Sequence, residues 1–118
     1  MKPLAVHHVQ VNVADVEEAL AFYTDVLGLT IRDDRPDFGF PGAWLDLGDQ
    51  QVHLVQAEVP RALGQHFAVL VEDLDATVAE LTDRGVKVSQ PKPVGTGRRQ
   101  SFLADPSGNG IELHEHRP

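Results

Sequence analysis

The 118 residues carry 10 Lys and Arg against 18 Asp and Glu, a net charge of −8, with 42% hydrophobic residues and no cysteine. That balance predicts one globular domain over 1–118 and argues against a nucleic-acid partner, which needs a basic face to displace phosphate counterions. It also leaves no disulfide frame and no thiolate metal site, and no apolar stretch long enough for a leader or a membrane span, so a cytoplasmic protein without membrane contact is expected.

Residues 6 to 13 alternate, with Val9, Val11 and Val13 on one face and His8, Gln10 and Asn12 on the other, which predicts a half-buried strand. Asp15 followed by Glu18 is a capping-box arrangement that opens a helix. Val16, Ala19, Leu20, Tyr23, Val26 and Leu27 continue it at helical spacing, and Gly28 stops it. Three short strands are expected next, around 29–33, from Ala43 to Leu47 and from Gln51 to Ala57, with glycines and Pro41 between them as turns. The stretch Glu58 to Gly64 links to a second half of the same order. There His66 to Glu72 alternates, Asp73 or Asp75 caps a helix carrying Val78 and Leu81, and Gly85 closes it. Strands are expected near Val86–Ser89, Gln100–Ala104 and Gly110–His114, with Asp105 to Gly110 as the last turn. Each half thus reads β-α-β-β-β, and neither looks large enough to form a core alone. The predicted fold is α+β: two paired modules, near 5–58 and 64–116, forming a curved, mostly antiparallel sheet with helices on its outer face.

The halves are copies. His8-Val-Gln-Val-Asn-Val-Ala-Asp15 aligns with His66-Phe-Ala-Val-Leu-Val-Glu-Asp73, Trp44-Leu45 with Phe102-Leu103, and Val52-His53-Leu54 with Ile111-Glu112-Leu113. Strand alternation places His8, His53, His66 and Glu112 opposite apolar neighbours that face the helices. Three imidazoles and a carboxylate at repeat-related positions predict one divalent ion per site (Zn, Ni, Co, Mn or Fe(II)), with coordination positions left for substrate or water. His7 is expected on the other side of its strand. His114 shares the side of Glu112 and is placed behind it, while His116 lies near the C-terminus. Trp44 and Phe102 are expected in the core. Gly95-Thr96-Gly97-Arg98-Arg99 lacks the spacing of a phosphate-binding fingerprint and reads as a flexible loop. Arg35 is placed either at the surface or against a substrate carboxylate. No Gly-x-Ser-x-Gly or Cys supports a nucleophilic hydrolase.

On His8-Val-x-Val-x-Val-x-Asp15, Ala21-Phe-Tyr-x-x-Val-Leu-Gly-Leu29 and Asp105-Pro-x-Gly-Asn-x-Ile-Glu-Leu113, the chain resembles the vicinal oxygen chelate superfamily over nearly its whole length. That superfamily includes glyoxalase I, methylmalonyl-CoA epimerase, fosfomycin and bleomycin resistance proteins and extradiol dioxygenases. The resemblance implies paired βαβββ modules, a homodimer, and a metal that chelates vicinal oxygens of a small-molecule substrate. His8, His66 and Glu112 match its metal triad, whereas His53 falls where glyoxalase I and the epimerase have Glu or Gln. Glu112 is then the one well-placed base. The implied activity is a metal-dependent glyoxalase-like lyase or isomerase acting on a small α-oxygenated substrate through an enediolate. The alternatives are a non-haem Fe(II) ring-cleaving dioxygenase on the same ligands and a ligand-sequestering resistance protein without turnover.

Overall fold

The computed structural model describes residues 1–117. They form two compact units, one over 1–61 and one from 62 onward, and each has the strand–helix–strand–strand–strand order expected. In the first unit, β1 (His8–Val13) leads into α1 (Val16–Ala21), followed by β2 (Thr30–Ile31), β3 (Gly42–Leu47) and β4 (Gln50–Gln56). In the second, β5 (His66–Leu70) leads into α2 (Leu74–Asp83), then β6 (Lys92–Pro93), β7 (Arg98–Ala104) and β8 (Gly110–His116). Each unit builds one four-stranded sheet, ordered β1-β4-β3-β2 and β5-β8-β7-β6. In each sheet the last three strands pair antiparallel in sequence, and the first strand lies parallel to the last.

The duplication is exact in register. Gln10 pairs with His53 in the first unit, and Ala68 pairs with Glu112 in the second. In both, the last-strand residue stands opposite the position two beyond the first-strand histidine, so the period of two puts both side chains on one face. The helix starts repeat as well. Asp15 accepts from the Glu18 backbone N–H and Asp73 from that of Ala76, each at 3.0 Å, which assigns the second cap to Asp73. The next orphan amide is met from the last strand: Val16 N–H donates to Gln56 Oε1 (3.1 Å), and Leu74 N–H to Glu115 Oε1 (2.9 Å).

Each unit contributes its own fully buried side chains. Val13, Tyr23, Leu45, Val52 and Leu54 supply the first, and Leu74, Ser101, Ile111 and Leu113 the second. The first helix departs from the uniform period expected. After Ala21 it widens into a π-helical turn, Phe22–Val26, with Leu27 N–H donating to Phe22 O and the Thr24 hydroxyl to Leu20 O. The altered period leaves Leu20, Val26 and Leu27 half-buried while Tyr23 is enclosed. The strand expected at Val86–Ser89 is absent, and Lys92–Pro93 takes its place at the sheet edge. Ser89 joins that edge by hydrogen bonds, donating its N–H to Phe102 O and accepting the Phe102 N–H on its hydroxyl.

Candidate functional site

In the second unit, parallel pairing of β5 with β8 brings His66 and Glu112 together, with His66 Nε2 3.1 Å from Glu112 Oε1. His66 Nδ1 lies 2.8 Å from the Gly64 carbonyl oxygen, which only accepts, so Nδ1 carries a proton. The remaining nitrogen then faces a carboxylate oxygen. Two lone pairs do not face one another at that distance unless a proton or a metal cation lies between them. Gly64 and then Glu112 accordingly raise the His66 pKa against the opposing effect of desolvation. His114 donates from Nδ1 to the second Glu112 oxygen at 2.8 Å, the position expected for it. Glu112 is buried at 9% exposure, so both its oxygens are held by imidazoles at the base of the face. Carbonyl-to-imidazole support of this kind fixes the tautomer that leaves Nε2 as a metal ligand.

The first unit pairs its histidines differently. The rings of His8 and His53 stack with centroids 3.9 Å apart and planes 15° from parallel. His53 Nε2 lies 2.8 Å from Gln51 Oε1, which leaves the Nδ1 lone pair on a ring whose pKa is lowered by burial and by His8. A neutral imidazole is the ligating form. His7 is exposed and contacts His8 edge-on, their Nδ1 atoms 2.8 Å apart, so it is not segregated on the other side as expected. Its contact leaves His8 Nε2 unengaged by that bond.

The four side chains therefore stand as two pairs, one per unit. Among the described residues no group of three or more His, Asp or Glu gathers to hold a metal ion. A single pair falls short of the three or four protein ligands of a zinc site. The donor chemistry of each pair nevertheless fits a borderline divalent ion, with nitrogen and carboxylate ligands of fixed tautomer in the second unit.

Trp44 and Phe102 are corrected from core to site. Trp44 pairs with His53 across β3 and β4 and stacks on its ring at 4.5 Å. Phe102 pairs with Glu112, meets the His66 ring edge-on at 5.3 Å, and is 38% exposed. Their flanking residues Ala43, Leu45, Ser101 and Leu103 are the buried ones. Alternation around Trp44 and Phe102 carried that signal. Arg99 was the other residue missed: it binds Glu115 (3.0 Å) and Asp75 (2.9 Å), so it is occupied by carboxylates rather than open to an anion. The turn before it closes with Val94 N–H donating to Arg98 O, so the glycine-rich stretch is the turn of the β6–β7 hairpin.

Two βαβββ units, each presenting a ligand-type residue on its first and last strands, define a paired-module protein of the oxygen-chelating kind. The chain belongs to the Glyoxalase/Bleomycin resistance protein/Dioxygenase superfamily, whose model matches residues 5–113. It is 31% identical over 125 residues to a probable chloroplastic lactoylglutathione lyase of Arabidopsis thaliana, covering 94% of this chain and 35% of that protein. It is 35% identical over 113 residues to a metapyrocatechase of Pseudomonas sp. (strain CF600), covering 91% of this chain and 36% of that protein. The chain thus spans about a third of the length of either relative. Among solved structures, an antibiotic binding protein from Streptomyces sp. CB03234 superposes with a TM-score of 0.84 at 30% identity, over 99% of both chains. Proteins named as a lactoylglutathione lyase, a metapyrocatechase and an antibiotic binding protein are all similar to this chain, so the reaction has to be argued from the side chains.

Proposed function

We propose that the chain is a metal-dependent lyase or isomerase of the glyoxalase type, acting on a small α-oxygenated substrate. His8, His53, His66 and Glu112 would hold one divalent ion, assembled either within one chain or, in a homodimer, from the first unit of one copy and the second unit of another. When bound, the ion supplies Lewis-acid stabilisation to negative charge developing on vicinal substrate oxygens. The observation that carries this reading is the Glu112 carboxylate, buried and held from both sides by His66 and His114. Glu112 would hold the ion through Oε1, the oxygen facing His66, and would free that oxygen to take the carbon-bound proton and return it to the neighbouring carbon. His114 would keep Oε2 hydrogen-bonded throughout, so the carboxyl group does not swing out of line. His66 would be held by Gly64 in the tautomer that leaves Nε2 free to ligate. Trp44 and Phe102 would exclude water from one side of the reacting carbon.

A second reading is favoured by one observation: a run of aromatic rings from Phe38 through Trp44 to His53 suits an aromatic ligand. That reading is ring cleavage with Fe(II) and O₂, or sequestration without turnover. The test assays the hemithioacetal of methylglyoxal with Zn²⁺, Ni²⁺ and Co²⁺ in turn, and follows oxygen uptake with Fe²⁺ and catechol. Isomerisation supports the lyase or isomerase. Oxygen consumption without isomerisation moves the assignment to the dioxygenase, and silence in both assays to a binding protein.

A further inference from the structure

The loop between β2 and β3 carries the densest aromatic cluster of the first unit, and an arginine sits within it. The Arg35 guanidinium lies 5.0 Å from the Phe38 ring centroid and 5.5 Å from that of Phe40, while the two rings stack at 5.7 Å. Phe38 also leans on Trp44 at 6.2 Å, and Trp44 stacks on His53. Phe38 is 50% exposed and Phe40 45%, an unusual outlay of apolar surface for a structural staple.

Arg35 is held in place, yet little of its hydrogen-bonding capacity is taken. It donates to the Phe40 carbonyl at 3.1 Å and has no ion pair among the described residues, although a guanidinium has five N–H donors. Two neighbouring acids are engaged elsewhere: Asp34 is bound by Arg32, and Asp37 accepts from the Gly39 N–H. Gly42 completes the seat. A Cβ there would stand 2.6 Å from Arg35 Nη2 and 2.5 Å from Leu54 O, so only glycine lets the guanidinium settle against β3. A fixed cation with open donors, flanked by exposed rings, is unexpected in a chain of net charge −8 unless something anionic and flat comes to it.

We propose that Arg35, Phe38, Phe40 and Trp44 form a binding site for a planar aromatic anion, its carboxylate on Arg35 and its ring against the aromatic side chains. Calling that ligand the substrate rests on the function proposed above; the binding itself does not. Arg35 selects the charge, the rings select planarity, and the stack through Trp44 to His53 leads from this site to the first unit's histidine pair.

Trp44 is the sole tryptophan, so its indole N–H gives one resolved NMR signal inside the site. Metal-free protein is titrated with benzoate, benzamide and cyclohexanecarboxylate, which keeps the result independent of any metal site. Benzoate should shift the Trp44 signal with an affinity about tenfold above that of either comparator. Arg35→Gln should abolish the preference for benzoate over benzamide while leaving benzamide affinity within about twofold, which also shows the variant folded. Arg35→Lys should retain part of the preference, and decides the point should Arg35→Gln not fold. Equal responses to the three probes, or a preference that survives Arg35→Gln, would overturn the proposal. So would a dimer that Phe38→Ser with Phe40→Ser converts to monomer without weakening benzoate, since the rings would then cover a second copy of the chain.

Discussion

Glu112→Gln separates the fold from the chemistry, because the site's geometry tells the two effects apart. The parent carboxylate places Oε1 3.1 Å from His66 Nε2 and Oε2 2.8 Å from His114 Nδ1. An amide of the same shape keeps one oxygen to accept from His114 and turns its NH₂ toward His66. There it finds a lone pair, because the Gly64 carbonyl fixes the imidazole proton on Nδ1. Both contacts survive, so the variant should unfold within about 1 kcal/mol of the parent, the scale of one exchanged hydrogen bond. Proton abstraction should not survive, since an amide nitrogen does not accept the proton. Loss of a general base lowers turnover about 10²–10⁴-fold. The assay is hemithioacetal isomerisation at saturating metal, paired with solvent-deuterium incorporation at the substrate carbon. A variant that folds, is loaded with metal and keeps turnover within about tenfold of the parent would refute the role given to Glu112.

Ser101 is fully buried and its hydroxyl has no hydrogen-bond partner, so Ser101→Ala should raise stability by about 1 kcal/mol in chemical denaturation, whereas a loss would reveal a hidden partner. Asp15→Ala and Asp73→Ala should each cost about 1 kcal/mol, and by similar amounts, because the two caps are geometric copies. Arg99 holds the carboxyl groups of Glu115 and Asp75 below their ordinary values of 4.5 and 3.8. Groups depressed in the folded state lend stability that is complete above those values and is lost as pH falls through the lower native ones. Melting temperature should therefore drop steeply below about pH 4.5 in the parent, and less steeply in Arg99→Gln.

Much of this was legible in the sequence because it rests on short-range pattern. The repeated alternating blocks that open on His8 and His66 and the copied Asp caps needed only alternation and capping chemistry, and the structure reproduces both. Sequence alternation also placed His66 and Glu112 on one face, where their contact now appears. What escaped depended on pairing. Trp44 and Phe102 look like core residues by composition; alternation with their buried neighbours could have turned them outward, but the register of β3 on β4 and of β7 on β8 is what names His53 and Glu112 as their partners. Val86–Ser89 alternates like a strand, but it meets β7 through hydrogen bonds at Ser89, and the hairpin at Val94 and Arg98 moves the edge strand downstream. The π-helical turn at Phe22–Val26 breaks the period that the apolar residues suggested. The Arg35 seat is invisible without the close approach at Gly42.

The central claim is that two histidine-bearing pairs hold one divalent ion, and it is tested by calorimetric Zn²⁺ titration of apo-protein alongside His8→Ala and His66→Ala. One ion per chain is expected, with each substitution weakening binding by at least about tenfold, because each removes a ligand from a different pair. Equal affinity in parent, His8→Ala and His66→Ala would contradict it.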